Sequence, residues 1–385
     1  MDMEAQRVTI TVEAKSSTTW ADPEAGALAI HGYEERRWRH LDTMQFETII
    51  QARVPRVRWP DGRTEMVQVP WAQARSRWTL MFEAIAVRVL QNSRSLSQAC
   101  ELLRLDWSSA HRIMERAVER GLERRNLEEV HYLGMDEKSF KRGHSYISTL
   151  VDLNGDGPRV LEVSAGRDIH AAKELLNSLP EPVRESVKAV AMDMSATYEA
   201  AVREVLPKAD IVHDRFHVSK LLGEAVDKVR RGECKDLVKA GDKRLLGTRY
   251  IWLYHPKELD GERLQQLNEL FEVEHFRTAR AYYHRLRFMD FWGQPGILEG
   301  QNFFTRWYHE ALRSSLEPVV KVAQTLQSHL LGLLTYFRHK ITNAMCECFN
   351  STVQSIKASA RGFRNFDNYR TRILFFLGRL DLQPR

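Results

Sequence analysis

VHYLGMDEKSFKRGHSYISTLVDLNGDGPRVLEVS, residues Val130–Ser164, holds three apolar runs rich in β-branched residues, with the turn signal NGDG (Asn154–Gly157) between the second and the third. Runs of this length bounded by Gly, Asn and Asp read as strands joined in hairpins. Downstream the period changes. A helical pattern around Ala171–Leu179, the apolar run VKAVAMD (Val187–Asp193), a helix from Thr197 to Leu206 and the run ADIVHD (Ala209–Asp214) follow in turn. Three hairpin-connected strands, then helix, strand, helix, strand, describe an α/β domain.

Two of these runs end on carboxylates, Asp136 in YLGMDEKSF and Asp193 in AVAMDMSATY, and a third acid, Glu347, stands far downstream in ITNAMCECFN. Glu347 falls on a predicted helix over 343–358, where Asn343, Glu347, Asn350, Gln354 and Lys357 recur at steps of four, three, four and three. That spacing gathers them on one polar face, with Met345, Phe349, Val353 and Ile356 opposite, facing the core. Taken alone, this helix reads rather as a solvent-facing one with an ordinary glutamate. Taken with the two aspartates, it offers Asp136, Asp193 and Glu347 as ligands for divalent metal and phosphoryl chemistry, with Asn350 and Lys357 set for substrate phosphate.

Upstream, Trp78–Arg125 has a helical period. SLSQACELLRLDWSSAHRIMERAVERGLER (Ser95–Arg124) reads as helix, tight turn at Leu105–Trp107, and a second helix capped by Ser108 or Ser109. Arg112, Arg116 and Arg120 recur every four residues on that second helix. They share a face suited to DNA phosphates, or form the basic face of a structural bundle; the first is preferred because a helix-turn-helix presents this helix to the groove. Residues 1–70 alternate apolar and polar positions as a small β module, with Pro60–Gly62 as a turn. Within it Arg36, Arg37, Arg39 and His40 surround Trp38, which is equally a nucleic-acid contact and a solvated basic strand.

From Val218 onward more than a hundred residues read as helix, an all-α insertion. Its Trp252 and Trp307 are either platforms for a displaced base or core, the latter being commoner. The chain of 385 residues implies about two or three domains. A net charge of +6 leans toward a polyanionic partner. The four cysteines (Cys100, Cys234, Cys346, Cys348) form no CxxC pair, no secretory leader is evident, and the longest apolar run, LLGLLTYF (Leu330–Phe337), is too short to span a bilayer. A reduced, cytoplasmic setting without a membrane anchor is expected.

Several long blocks, in order, resemble the transposases of the ISL-three family of bacterial insertion sequences, members of the DDE class. They are RRWRHLDTMQF (36–46), PRVRWPDGRTEMVQVPWA (55–72), the helix-turn-helix, GMDEKSFKRGHSYISTLVDL (134–153), MDMSATYEAAVREVLPKADIVHDRFHVSKLL (192–222) and HKITNAMCECFNSTVQSIKASARGFRNFDNYRTRILFFLGRLDL (339–382). The strand order above is that of the ribonuclease H-like fold. The resemblance implies such a core with Asp136, Asp193 and Glu347 as the catalytic, metal-holding triad, two Mg2+ or Mn2+ ions per site, and Asp214-Arg215-Phe216-His217 as the family's acidic-x-x-His motif. Asp214 and His217 would then brace the site or contact DNA. His213 reads as a packed histidine. Lys357, Arg361, Arg364, Arg370 and Arg372 are assigned to DNA near the site, although an ordinary solvated helix end remains open.

The expected domains are a β module (1–72), a helix-turn-helix (73–127), the core in two parts (128–219 and 339–385) and the α insertion (220–338). Double-stranded DNA, both element ends and target, is the expected partner, with a homodimer on paired ends. A catalytically silent repressor or a structure-selective nuclease on the same fold are the alternatives. The family usually opens with a cysteine-bearing zinc module, whereas residues 1–72 lack cysteine and Trp20 and Trp59 stand about where ligands would be. His31 and His40 cannot alone close a tetrahedral site, so no zinc is expected.

Overall fold

The computed structural model describes residues 1–385 except 16–17, 23–25, 142–144, 155–156 and 273–275. The chain forms two compact units, one of residues 1–125, 359–363 and 367–385, the other of 126–358 and 364–366. The first unit opens with β1 (Arg7–Val12), the two-residue strands β2 (Ala21–Asp22) and β3 (Gly26–Ala27), β4 (Ala29–Thr43), β5 (Phe46–Arg58) and β6 (Thr64–Met66). β4 and β5 pair as a long antiparallel hairpin; β1 adds parallel to β5 and β6 antiparallel to it. Trp38, Ala52, Val54 and Ala72 form the small core, and Gly62, at φ 87°, makes the turn expected between β5 and β6.

Three helices follow, α1 (Leu80–Asn92), α2 (Leu96–Leu103) and α3 (Trp107–Glu123), opened by the side-chain caps Thr79, Ser95 and Asp106. Arg104 makes the left-handed step between α2 and α3 at φ 51°. The cap of α3 is therefore Asp106, not Ser108 or Ser109, because its carboxylate accepts the Ser109 N–H and both serine hydroxyls.

The second unit contains β7 (Tyr132–Lys141), β8 (Ser145–Asp152), β9 (Arg159–Ala165), α4 (Ile169–Asn177), α5 (Glu181–Ser186), β10 (Ala189–Met192), α6 (Ala196–Val205) and β11 (Asp210–His213). The sheet order is β11-β10-β7-β8-β9, with β7–β8–β9 antiparallel and β7, β10 and β11 mutually parallel. Parallel neighbours require crossovers, which α4, α5 and α6 supply. α5 was not foreseen. Gly155 and Asp156 of the expected β8–β9 turn lie outside the described residues, but the strands on either side pair as a hairpin should.

The rest of the unit is helical: α7 (Arg215–Lys239), α8 (Gly261–Phe271), α9 (Arg277–Met289), α10 (Ile297–Arg313), α11 (Glu317–Ser328), α12 (Leu330–Leu334), α13 (Tyr336–His339) and α14 (Ala344–Ser359). Their core includes Ala189 and Val212 from the sheet, whereas Val190, Met192 and Ile211 point into the cluster built with α4 and α6. Both faces of β10 and β11 are thus covered, which is why these strands read as unbroken apolar runs. Trp252 and Trp307, 0% and 1% exposed, donate their indole N–H groups to Thr248 Oγ1 (3.1 Å) and the His284 carbonyl (2.9 Å). Base stacking by these rings is excluded by their burial.

The last helix, α15 (Phe366–Leu377), corrects the expected boundaries, since residues 359–363 and 367–385 belong to the first unit and not to the core with Glu347. There Asn368 Oδ1 bonds His111 Nε2 at 2.8 Å, the Leu382 carbonyl accepts from Arg120 Nη2 at 3.0 Å, and Leu380 packs onto Gly121, where any side chain would collide with it.

Candidate active site

Strand register sets the acids level. β10 pairs with β7 through Ala191↔Gly134, and with β11 through Met192↔His213. Two more residues along the β7 register and one more along the β11 register bring Asp193 beside Asp136 on one side and Asp214 on the other, and the Asp214 N–H donates to the Met192 carbonyl at 2.9 Å. Three aspartates therefore stand level and form one acidic edge, Asp193 and Asp214 just past the ends of β10 and β11 and Asp136 midway along β7, which runs on to Lys141 instead of ending at the acid as expected.

α14 docks against that edge through a close approach to Gly134, where a Cβ would strike Cys346 Sγ and stand 3.1 Å from Asn343 Oδ1. Asn343 donates its N–H to Asp214 Oδ1 (3.3 Å) and its amide to the Met135 carbonyl (3.2 Å); Asn350 donates to Asp136 Oδ2 at 2.5 Å. Glu347 lies between these two pins. Its carboxylate and those of Asp214 and the His217 ring offer ligand atoms within 4.8 Å of one another. The expected helix faces need correction: Asn343, Cys346, Asn350 and Val353 are the buried stripe, Met345 is exposed, and Phe349 is half-buried. Lys357 Nζ and Gln354 Nε2 both bond the Ser139 carbonyl (3.3 and 3.2 Å), tying the far end of α14 to β7.

Burial pushes Asp136 up to about 6, with Asp193 adding to the rise, and burial likewise raises Asp193 and Glu347. The hydrogen bond to Asp214 Oδ2 (3.1 Å) raises His217, helped by the charges of Asp193, Asp214 and Asp136. Crowded carboxylates held above their ordinary range, around one imidazole that favours its cation, form a site short of positive charge. Asp193 Oδ1 is buried without a hydrogen-bond partner among the described residues, an orphan acceptor of the kind a cation satisfies. Lys138 and Lys220, near enough to act on Glu347 and Asp193, were not foreseen; no periodicity marks them.

The basic residues divide. On α3, Arg112 is exposed with Trp107 and Ser108, but Arg120, 6% exposed, donates to Glu83 Oε1 and Gln73 Oε1, both at 2.9 Å. Arg116 bonds the same Gln73 at 2.7 Å. The DNA-facing assignment of Arg120 is thereby corrected: its charge is consumed inside the unit by the buried Glu83. Arg39 is spent on Asp42 and Glu47 and lies over Phe82, Arg36 bonds the Ser76 carbonyl, and Arg37 stays exposed beside Glu35. Arg361 is exposed and Arg370 half-buried in the first unit, Arg364 is exposed in the second, and Arg372 is buried over Phe363 and removed from the proposed surface.

A sheet edge with clustered carboxylates, on a chain that also carries a helix-turn-helix, equips an enzyme that acts on DNA. Residues 133–373 match a family model described as transposase, residues 67–118 the helix-turn-helix domain of transposase family ISL3, and residues 18–61 the zinc-finger of transposase IS204/IS1001/IS1096/IS1165. The chain is 26% identical over 343 residues to the transposase for insertion sequence element IS1001 of Bordetella parapertussis, covering 87% of this chain and 83% of that protein. It is 25% identical over 373 residues to the transposase for insertion sequence element IS1557 of Mycobacterium tuberculosis, covering 90% and 81%. The protein belongs to the ISL3 family of DDE transposases.

The zinc-finger match overturns the expectation of no zinc, and the β module is classed with the family's zinc fingers. Its match carries over no thiolate ligands, since residues 18–61 contain no cysteine. His40 there bonds Thr79 Oγ1 at 2.9 Å, and among the described residues of the module no three candidate ligands converge. No helix among the described residues is long and apolar enough to cross a membrane.

Proposed function

We propose that the protein binds the terminal inverted repeats of an insertion sequence and carries out metal-dependent strand cleavage and strand transfer on a ribonuclease H-like core. The observation that supports this most is the level placement of Asp136 and Asp193, continued by Asp214, on adjacent parallel strands, with a pinned helix bringing Glu347 to Asp214 and His217 at the end of that row. Asp136, Asp193 and Glu347 would hold two Mg2+ or Mn2+ ions, which when bound activate water or a 3′-hydroxyl and stabilise the leaving 3′-oxygen. Asn350 fixes the rotamer of Asp136, and Asn343 ties α14 to β7 and Asp214. His217, hydrogen-bonded to Asp214, and the nearby Lys138 and Lys220 supply positive charge for a phosphate. A strand-transfer assay with pre-cut ends tests the reading: joined product is expected, cleavage alone would indicate a structure-selective nuclease, and binding with neither would indicate a repressor.

End binding falls to the first unit. The exposed Trp107, Ser108 and Arg112 stand at the start of α3, the part of a recognition helix that meets base edges. Arg112→Ala should weaken end binding and lower the slope of log affinity against log salt by about 1. An unchanged slope would remove Arg112 from the phosphate contacts.

Joining two ends to one target needs two active sites, and each chain carries one set of carboxylates, so the working species is a homodimer bridging double-stranded DNA ends. Mixing Asp136→Asn chains with active chains should depress paired-end strand transfer more steeply than dilution does. Loss strictly proportional to the active fraction would indicate independent monomers.

A further inference from the structure

Away from the carboxylate edge, α6, β11 and the residue opening α12 bring together Glu199, His213 and His329. His213 Nε2 and His329 Nδ1 each stand 3.1 Å from the same oxygen, Glu199 Oε1. All three ligand atoms lie within 4.8 Å of one another. The two rings meet edge to face with centroids 4.9 Å apart. His213 is 2% exposed, and Gly332 is what leaves it room, because a side chain there would collide with the imidazole. A cavity of 330 Å³, lined also by Arg203, Asp210 and Thr335, opens onto the three, with space for water.

Two imidazole nitrogens and a carboxylate oxygen converging on one point, next to a solvent-reachable cavity, form the donor set that zinc takes with three protein ligands and a water. Two nitrogen donors to one oxygen set it apart from the carboxylate-rich centre, where His217 offers the one nitrogen. We infer that Glu199, His213 and His329 form a second metal site, selective for zinc or a similar borderline divalent cation, distinct from the catalytic carboxylates. The expectation that His213 merely packs is revised accordingly. His213 is the last residue of β11 and immediately precedes Asp214, while Glu199 sits in the first turn of α6, which begins just after Asp193. An ion held here clamps together the segments that deliver two of the active-site aspartates, so its role is to position them. The site stands apart from the transposase reading and would exist whatever reaction the chain performs.

The test uses the full chain, stripped with chelator and dialysed against zinc chloride in excess Mg2+ to occupy the carboxylates. Wild type and Asp136→Asn should each retain one more zinc per chain than His329→Ala or Glu199→Gln; zinc held by the first unit is common to all and cancels in the difference. Zinc should also raise the Tm of wild type by roughly 5 °C at a hundredfold excess over Kd, with no such gain in the two variants. Should His329→Ala fail to fold, Glu199→Gln, which keeps size and one hydrogen-bonding oxygen, carries the comparison. Equal zinc content in wild type and variants would reduce the trio to a hydrogen-bonded brace, and loss of the extra zinc in Asp136→Asn would move it to the carboxylate centre; either result overturns the assignment.

Discussion

Asp136→Asn, Asp193→Asn and Glu347→Gln are each expected to lower DNA cleavage by about three orders of magnitude or more, while end binding stays near wild type. Removing one ligand charge forfeits several kcal/mol of transition-state stabilisation by the metal, and each 1.36 kcal/mol is about tenfold in rate. Asp136→Asn carries a second, opposite signature. With its carboxyl pushed up from 3.8 to about 6 by burial, the ionised form is disfavoured in the folded protein. The penalty is present in full above about 6, fades as pH falls through that value, and is gone below the unfolded pKa near 4. At pH 7.5 without metal, Asn at this position should therefore stabilise the protein, on the order of 2–3 kcal/mol. Mg2+ should raise the Tm of wild type and leave that of Asp136→Asn unchanged. Near-normal cleavage by any of the three variants would remove that residue from the site, and an apo Tm below wild type for Asp136→Asn would refute the charge-crowding account.

Arg120→Ala is expected to destabilise the first unit by about 3 kcal/mol, the lower end for breaking a buried ion pair. Glu83 would be left buried, with Arg116 at 3.7 Å as partial compensation, and the Leu382 carbonyl would lose its donor. Chemical denaturation read on the first unit's transition measures this, and Glu83→Gln in the Arg120→Ala background should recover part of the loss because the unpaired charge is gone. Full stability with a reduced salt slope in DNA binding would instead return Arg120 to the phosphate contacts. The four-residue step put Arg112, Arg116 and Arg120 on one face, yet exposure falls along it, from the exposed Arg112 through the half-buried Arg116 to the buried Arg120. Whether that face meets solvent or the glutamate of another helix is not written in the spacing.

The same division runs through the candidate site. Strands announce themselves locally, by apolar runs bounded by turn residues, so β7 to β11 and the ends carrying Asp193 and Asp214 could be read from the chain, whereas β7 continues past Asp136 to Lys141 because the polar residues after it still pair with β8. α14 was legible as a helix, but not its buried side. Polar Asn343 and Asn350 are buried because their amides satisfy Met135 and Asp136, partners some two hundred residues away, and because Gly134 lets the helix approach. A hydrophobic-face rule assigns such residues to solvent.

Sequence by itself determined the order of the sheet's strands and most helices, the acids Asp193 and Asp214 after β10 and β11, the helix-turn-helix and the family, since each rests on local period or on a contiguous block of residues. Tertiary structure alone decided the level register of three aspartates, the interior fate of Arg120, Trp252 and Trp307, the return of residues 367–385 to the first unit, and the meeting of Glu199, His213 and His329. The reason is physical: burial and ion pairing depend on which surfaces meet, and those surfaces come from distant segments, 130 residues apart in the Glu199–His329 pair and 262 in the Arg120–Leu382 pair, separations no local period records.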